Sequence, residues 1–525
     1  MSKNPFQKVP ESPTRPGIKK ANLKFDVERL FSGHVQTPET QTTESNEYGL
    51  DEKLRKAYFW IVNKAIISPY YDIEYNEGPA KTYVFTDMLS SVTFPSGQSY
   101  SSYVLLPLLT LVTRKRCLLI GGPGRGKTAS AILMGLLAGY SIKEIHRAIQ
   151  HGQPQMTISD LLGNPIPSDL LNCKSMDDIK IAWRKWLGMR VKIIDEYNRI
   201  PTRTQSALLT VLADNYAEIL DQVYECPDAA WYLTANDDAG GGTYQVIEAL
   251  RDRIDIVVKA LHFNTRFLRE LLQRIESNVK LEEIIPQEII FTEEEINQIN
   301  KEILEVKIPY PLLRRIEFFV SHFEFSEVAA EQMEYKTKDT IKLSGLDYRT
   351  IVALDTGKDK IKDLGSQTKN GLSVRALMTI LTYVKALAYF RGNIEVAFED
   401  VRHILPFVLH DKLTPDLDSP FFNIQGNEVY KTDKISWIRK LFDLSCEEFD
   451  RLSIDTQDSI SDLEREFERG LEGVSLEEVN KRLEKIDKVM EEIAKSKKIY
   501  GHNLDDILKL KYLHQRYINY RAWLS

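Results

Sequence analysis

The spacing of apolar residues changes along the chain, and each change marks a different part. Residues 1–44 carry no sustained apolar run and are rich in Pro, Ser, Thr, Gln and Lys. The first fifty residues therefore read as a disordered tail without the apolar segment of a signal peptide. Leu54, Tyr58, Ile61 and Ala65 then recur at helical spacing, which predicts an amphipathic helix ended by Pro69. The most apolar stretch, 103–112, is interrupted by Pro107 and falls well short of the ~20 residues needed to span a bilayer. Short apolar runs at 117–120, 191–194, 230–234 and 254–258 have the length and residue types of buried strands, and a helical run, 129–137, follows the first. Together they predict an open α/β sheet within residues 51–262.

Beyond residue 261 the period becomes helical. Phe267, Leu268, Leu271, Leu272 and Ile275 share one face, and a second helix is expected over 294–306 with Thr292 as N-cap and Glu295 completing a capping box. Residues 325–371 turn polar, with Lys336, Lys338 and Lys342 and then Lys358, Lys360 and Lys362, and read as a solvated loop-rich insertion. Helical spacing resumes over 376–390 through Leu377, Ile380, Leu381, Val384 and Leu387. The part 263–418 is thus expected to be helical. Within 419–525, Ser475 and Glu478 open a segment where Val479, Leu483, Ile486, Met490 and Ile493 alternate at four and three residues. Gly470 and Gly473 separate it from a helix ending near Phe467, and Gly501 with Asn503 begins the next, through Ile507, Leu510 and Leu513. An antiparallel helical hairpin is expected there in preference to a dimerising coiled coil.

The strand at 117–120 runs straight into Gly121-Gly122-Pro123-Gly124-Arg125-Gly126-Lys127-Thr128-Ala129, which fits the phosphate-loop pattern G-x-x-x-x-G-K-[ST]. Strand, glycine loop and helix are the context this chemistry needs. Backbone N–H groups wrap a polyphosphate, and the helix N-terminus adds partial positive charge. Lys127 is then expected to pair with the β- and γ-phosphates of ATP, and the Thr128 hydroxyl to hold Mg2+. Roughly seventy residues on, the strand 191–194 ends in Asp195-Glu196, at the strand end where open α/β sheets bind ligands. Asp195 is placed to hold a magnesium-bound water and Glu196 to accept a proton from the attacking water. A third strand ends near Asn236, a candidate to position that water. Arg251 and Arg253 precede a fourth.

The order of these blocks, and the residues around them, resemble the AAA+ ATPases and among them the MoxR family. Asp195-Glu196-Tyr197-Asn198-Arg199 followed by Gln205, Ala207, Leu208 and Leu209 is similar to the family's D-E-x-N-R block. Gly242-Thr243-Tyr244 with Glu248, Ala249, Asp252 and Arg253 is similar to its G-T-Y block, and 157–162 with Pro167-Ser168-Asp169-Leu170 to its T-x-D-L-L-P-S-D segment. The blocks Leu372-Ser373-Val374-Arg375-Ala376-Leu377 and Glu399-Asp400-Val401-Arg402 look like lid helices. The resemblance spans about 103–413. It departs where Trp183-Arg184-Lys185-Trp186-Leu187-Gly188 stands in place of a G-P-x-F element, and the two tryptophans read as an aromatic pair packing a helix. McrB-like restriction GTPases share the D-E-x-N-R block, but the run 242–253 fits MoxR better.

The resemblance implies an α/β fold: an AAA+ αβα P-loop core, an α-helical lid and a helical C-terminal extension. It further implies ATP and Mg2+ as ligands, with Asn236 sensing the γ-phosphate, Arg375 on the lid as a second sensor, and Arg253 as an arginine finger, Arg251 being the reserve. A finger acting across subunits implies a homo-oligomeric ring, a hexamer in the family. The implied activity is ATP hydrolysis that remodels or activates a protein client, one carrying a von Willebrand factor A domain. A nucleotide-switched scaffold and a nucleic-acid translocase are the alternatives. A net charge of −7 and a pI of about 5.9 argue against a dedicated nucleic-acid binder. Cys117, Cys173, Cys226 and Cys446 form no C-x-x-C pair, and no H-E-x-x-H zinc motif occurs, which suits isolated thiols in the cytoplasm. No membrane association is expected.

Overall fold

A computed structural model describes residues 49–86, 91–168, 179–236, 244, 246–278, 280–346, 351, 359–454, 458–496 and 498–524. The N-terminal tail, Asp169, Leu170, Cys173, Gly242, Thr243 and Lys358 lie outside these residues. The chain divides into two compact units, Met1–Ile308 with Met378–Val408, and Pro309–Leu377 with Leu409–Ser525.

The first unit is built on a five-stranded parallel sheet. In chain order its strands are β1 (Arg116–Ile120), β2 (Gln150–His151), β3 (Val191–Asp195), β4 (Ala230–Ala235) and β5 (Ile256–Lys259), and in space they run β5-β1-β4-β3-β2. All neighbours are parallel, with Leu118 opposite Leu233 and Leu233 opposite Ile194. Such a sheet must be covered on both faces, which is why β4 is buried at every position. On one side Leu118, Ile194, Leu233 and Val257 join Leu208, Val211 and Leu212 of the helix Thr202–Asp214. The apolar stretch around Pro107 is the helix Ser102–Thr113, buried on nearly every side. Pro107 removes a helical N–H, and its carbonyl accepts a hydrogen bond from Tyr232 Oη at 2.9 Å. The amphipathic helix near residue 54 is Leu50–Trp60, continued as a wider turn through Ile61–Ala65, and buries Leu54, Ala57, Tyr58 and Ile61.

The helix expected after Thr292 is Glu293–Glu305, with the capping box in place. By contrast, Leu268–Ser277 forms with no buried residue, and Leu268, Leu272 and Ile275 face solvent. The helix Val374–Phe390 begins in the second unit and continues in the first. There Thr379 Oγ1 donates to Asp255 Oδ1 at 2.7 Å, and the Tyr383 and Thr110 hydroxyls meet at 2.7 Å. Arg391 and the fully buried Asp400 pair at 2.8 Å, and the Tyr75 hydroxyl donates to the same carboxylate at 2.7 Å.

In the second unit the helix Tyr310–Ser321 packs against Lys434–Arg451 and Gly501–Leu524, with Phe318 and Phe449 rings 5.3 Å apart. Helices Leu476–Ala494 and Gly501–Leu524 run antiparallel, since Asn480 meets Arg521, Arg482 meets Tyr517 and Asp487 meets His514. A third helix, Ser459–Glu468, shares their core through Leu463. Lys338 is not the solvated lysine that its polar neighbours suggest. It is buried, and its Nζ donates to Gly365 O at 2.7 Å, Thr368 O at 2.7 Å and Thr368 Oγ1 at 2.8 Å. Three acceptors around one ammonium compensate for its desolvation.

Candidate nucleotide site

The loop after β1 turns back on itself through Gly121, Gly124 and Gly126, with φ of +143°, +71° and +75°. A side chain at Gly121 would also bring a Cβ to 2.7 Å from Ala260 O, so both the angle and the space demand glycine. The helix Lys127–Leu137 begins immediately, its first turn directed at the loop. The Lys127 side chain is buried, its Nζ donating to Gly121 O at 2.6 Å, Gly122 O at 2.8 Å and Asn236 Oδ1 at 2.9 Å. This brings the end of β4 onto the lysine of the loop.

The end of β3 lies in the same cluster. Thr128 Oγ1 donates to Asp195 Oδ1 at 2.7 Å, and Thr234 Oγ1, on β4, donates to the same oxygen at 2.6 Å. Thr234 Oγ1 in turn accepts the Glu196 N–H at 2.9 Å. Glu196 takes up left-handed backbone angles, φ +52°, so the chain turns sharply at the strand end. Its carboxylate is engaged at both oxygens: Asn236 Nδ2 donates to Oε1 at 2.8 Å, and Arg199 Nε lies 3.2 Å from Oε2. His151, at the end of β2, places Nδ1 3.4 Å from Asp195 Oδ2.

Lys127, Thr128, Asp195, Glu196 and Asn236 are thus joined in one hydrogen-bonded cluster. Arg251 and Arg253 are not in it. They lie on the short helix Glu248–Arg253, where Arg251 Nη2 donates to Val246 O at 3.3 Å and Arg253 Nη1 to Ala249 O at 3.1 Å. Arg375 sits in the first turn of Val374–Phe390 and belongs to the second unit. The sequence alone assigns no role to Thr234, Arg199 or His151. Arg199 falls inside a recognisable block, whereas Thr234 and His151 carry no local signal, because only the pairing of β4 and β2 with β3 makes them neighbours of Asp195. Trp183 and Trp186 do not pack a helix as a pair. Trp183 lies on a strand, Ile181–Trp183, against Tyr224, and Trp186 is buried edge-on to Trp231.

A hydroxyl and a carboxylate 2.7 Å apart beside a glycine loop are the hard oxygen donors that a magnesium ion prefers, so Thr128 and Asp195 fit that ion. The buried Lys127 ammonium among carbonyl and amide oxygens fits a site for phosphate oxygens.

Residues 116–256 match the family model described as ATPase family associated with various cellular activities (AAA), and residues 365–430 match the AAA lid domain. A curated relative, Chaperone MoxR1 of Mycobacterium tuberculosis, is 25% identical over 319 residues, covering 59% of this chain and 71% of the relative. Over these residues the chain is similar to the MoxR-like AAA+ ATPases. The sheet of this MoxR-like chain, with β1 between β5 and β4 and the phosphate loop at its carboxyl end, is the αβα core of such an ATPase. A crystal structure assigned as an ATPase from Cytophaga hutchinsonii is 20% identical with a TM-score of 0.44, over 64% of this chain and 89% of the other. Among the described residues no helix of this MoxR-like protein is long and apolar enough to cross a membrane.

Proposed function

We propose that the chain hydrolyses ATP in a homo-oligomeric ring, a hexamer, and uses the cycle to remodel or activate a protein client in the cytoplasm. The observation that carries this reading is the cluster in which Asn236 bridges Lys127 and Glu196 while Thr128 and Thr234 converge on Asp195. Lys127 and the loop N–H groups bind the phosphates. Thr128 and Asp195 would hold Mg2+, which when bound neutralises charge developing on the phosphoryl oxygens. Glu196 accepts the proton of the attacking water, each of its carboxylate oxygens keeping a lone pair beyond those engaged by Asn236 and Arg199. Asn236 positions that water and senses the γ-phosphate. Arg253 enters the neighbouring subunit's site as the finger, and Arg375 acts from the lid.

The named relative is a chaperone, which supports a protein client, and the family resemblance points to a client with a von Willebrand factor A domain. The test is stimulated turnover combined with a Glu196→Gln trap. Faster ATP hydrolysis with a protein that the trap retains supports remodelling. Stimulation by nucleic acid alone points to a translocase, and a ring that recruits protein with no change in turnover points to a scaffold. Either result overturns the proposal.

A further inference from the structure

A pocket of about 730 Å3 opens beside β2 in the first unit, well within the ~300–1,000 Å3 of ligand sites. Its walls include Arg147, Arg184 and Lys185, all exposed, and the half-buried Trp183. Among the described residues none of the three cations makes a hydrogen bond or ion pair through its side chain. Among the described residues one carboxylate lines the pocket, Asp160, and its Oδ2 is already taken by the N–H of Thr157 at 3.0 Å and the Thr157 hydroxyl at 2.7 Å. Those bonds hold the Asp160 carboxyl below its usual range, with a smaller contribution from the charge of Arg184. Among the described residues, three exposed cations against one committed carboxylate leave an excess of positive charge, in a chain whose net charge is −7. The pocket therefore selects an anion.

Its shape says which kind. Ile149, Gln150 and His151 form part of the wall, and Gln150–His151 is β2, the last strand of the sheet, paired on one side with β3. Among the described residues no strand pairs with its other side. An open strand edge offers main-chain N–H and C=O groups to an extended peptide. Gln153 and Gln155, also in the wall, add amides that donate and accept. A nucleic-acid strand has phosphates for the cations but no peptide backbone for the edge.

We propose that this pocket binds an extended acidic peptide segment of the client, added as a strand to β2 with its carboxylates on Arg147, Arg184 and Lys185. The attribution to a client rests on the proposed function; the binding itself does not. The test uses the full-length chain without ATP and a fluorescein-labelled, Glu-rich octapeptide, read by anisotropy. The octapeptide is expected to bind, to weaken as salt rises, and to lose at least tenfold in affinity in the Arg184→Glu/Lys185→Glu chain and about threefold in Arg147→Gln. ATP binding by each variant, measured in parallel, reports that the core has folded. An octapeptide of the same charge, N-methylated at alternate residues, should bind at least tenfold more weakly, because it cannot pair along an edge. The proposal is overturned if the octapeptide does not bind, if charge reversal in ATP-competent protein leaves its affinity unchanged, or if the methylated form binds equally well. It is also overturned if a single-stranded oligonucleotide binds and the peptide does not. Because no arm needs hydrolysis, failure here leaves the ATPase reading standing.

Discussion

Thr234 shows how much one hydroxyl can organise. It donates to Asp195 and accepts from the Glu196 N–H, so a single Oγ1 fixes both acidic residues at the end of β3. It is fully buried on β4, where valine has nearly the same shape. Thr234→Val is therefore expected to fold, to keep KM for ATP within about threefold and to lower kcat about tenfold or more, the pattern of misplaced catalytic groups. Equal effects on KM and kcat in steady-state kinetics would contradict this. Lys127→Ala should abolish ATP binding in calorimetry, since it leaves only backbone donors for the phosphates. Glu196→Gln should bind ATP and turn over ~10²–10⁴-fold more slowly, having lost the base in a near-isosteric change. Parental turnover in that variant would remove Glu196 from the mechanism. At this scale the loop and the acidic pair were readable because each is a contiguous run with its own chemistry. Thr234 was not, because its role depends on a register between strands about forty residues apart.

Among the elements, the segment around Asp400 was recognisable as a block but not as a buried ion pair. Asp400 is wholly inside the first unit, held by Arg391, the Tyr75 hydroxyl and the Ala397 N–H. Burial pushes its carboxyl up, and Arg391 opposes that. Removing the buried carboxylate leaves the Tyr75 hydroxyl and the partly buried Arg391 without it, so Asp400→Ala should cost about 3 kcal/mol in urea denaturation. Asp400→Asn should cost less, because the amide oxygen still accepts from Tyr75. Equal losses would mean that packing, not the pair, dominates. Periodicity served well where one face packs, as in Glu293–Glu305 with its capping box. It also located the helix Leu268–Ser277, whose apolar residues repeat as in a packed helix yet lie open. Lys338 misled, since a polar neighbourhood in sequence does not reveal carbonyls arriving from residues 365 and 368.

At the scale of the whole molecule, the ring is testable through Arg253. Arg253→Ala subunits keep a sound phosphate loop, and Lys127→Ala subunits keep a sound finger. Mixed and allowed to exchange, they should regain ATPase activity that neither has alone, each finger being worth on the order of 10³-fold in turnover. If exchange is demonstrated and no activity returns, Arg253 is not the finger. The second unit contributes its own pH dependence. Burial pushes Asp506 up to about 7, Arg314 opposing and Asp458 and Asp505 reinforcing. A raised folded-state value means that the folded chain keeps a proton the unfolded chain has lost. The associated stability is fully present below about pH 4 and is lost as pH rises to about 7. Asp506→Asn should therefore gain in melting temperature over the parent as pH rises through that window, with the difference levelling off above it. A pH-independent difference would exclude this origin.

The sequence by itself determined the glycine loop, the acidic strand end, the order of the blocks and hence the likeness to the MoxR-like AAA+ ATPases, because each resides in a short run whose chemistry needs no distant partner. Only the tertiary structure decided which strand lies beside which. Pairing β4 and β2 with β3 brings Asn236, Thr234 and His151 to Asp195 and Glu196 and, among the described residues, leaves the outer side of β2 without a paired strand beside the pocket lined by Arg147, Arg184 and Lys185. It also decided that Lys338 and Asp400 are buried while the apolar face of Leu268–Ser277 is not. Burial and strand pairing depend on residues far apart in the chain, so no local window of sequence contains them.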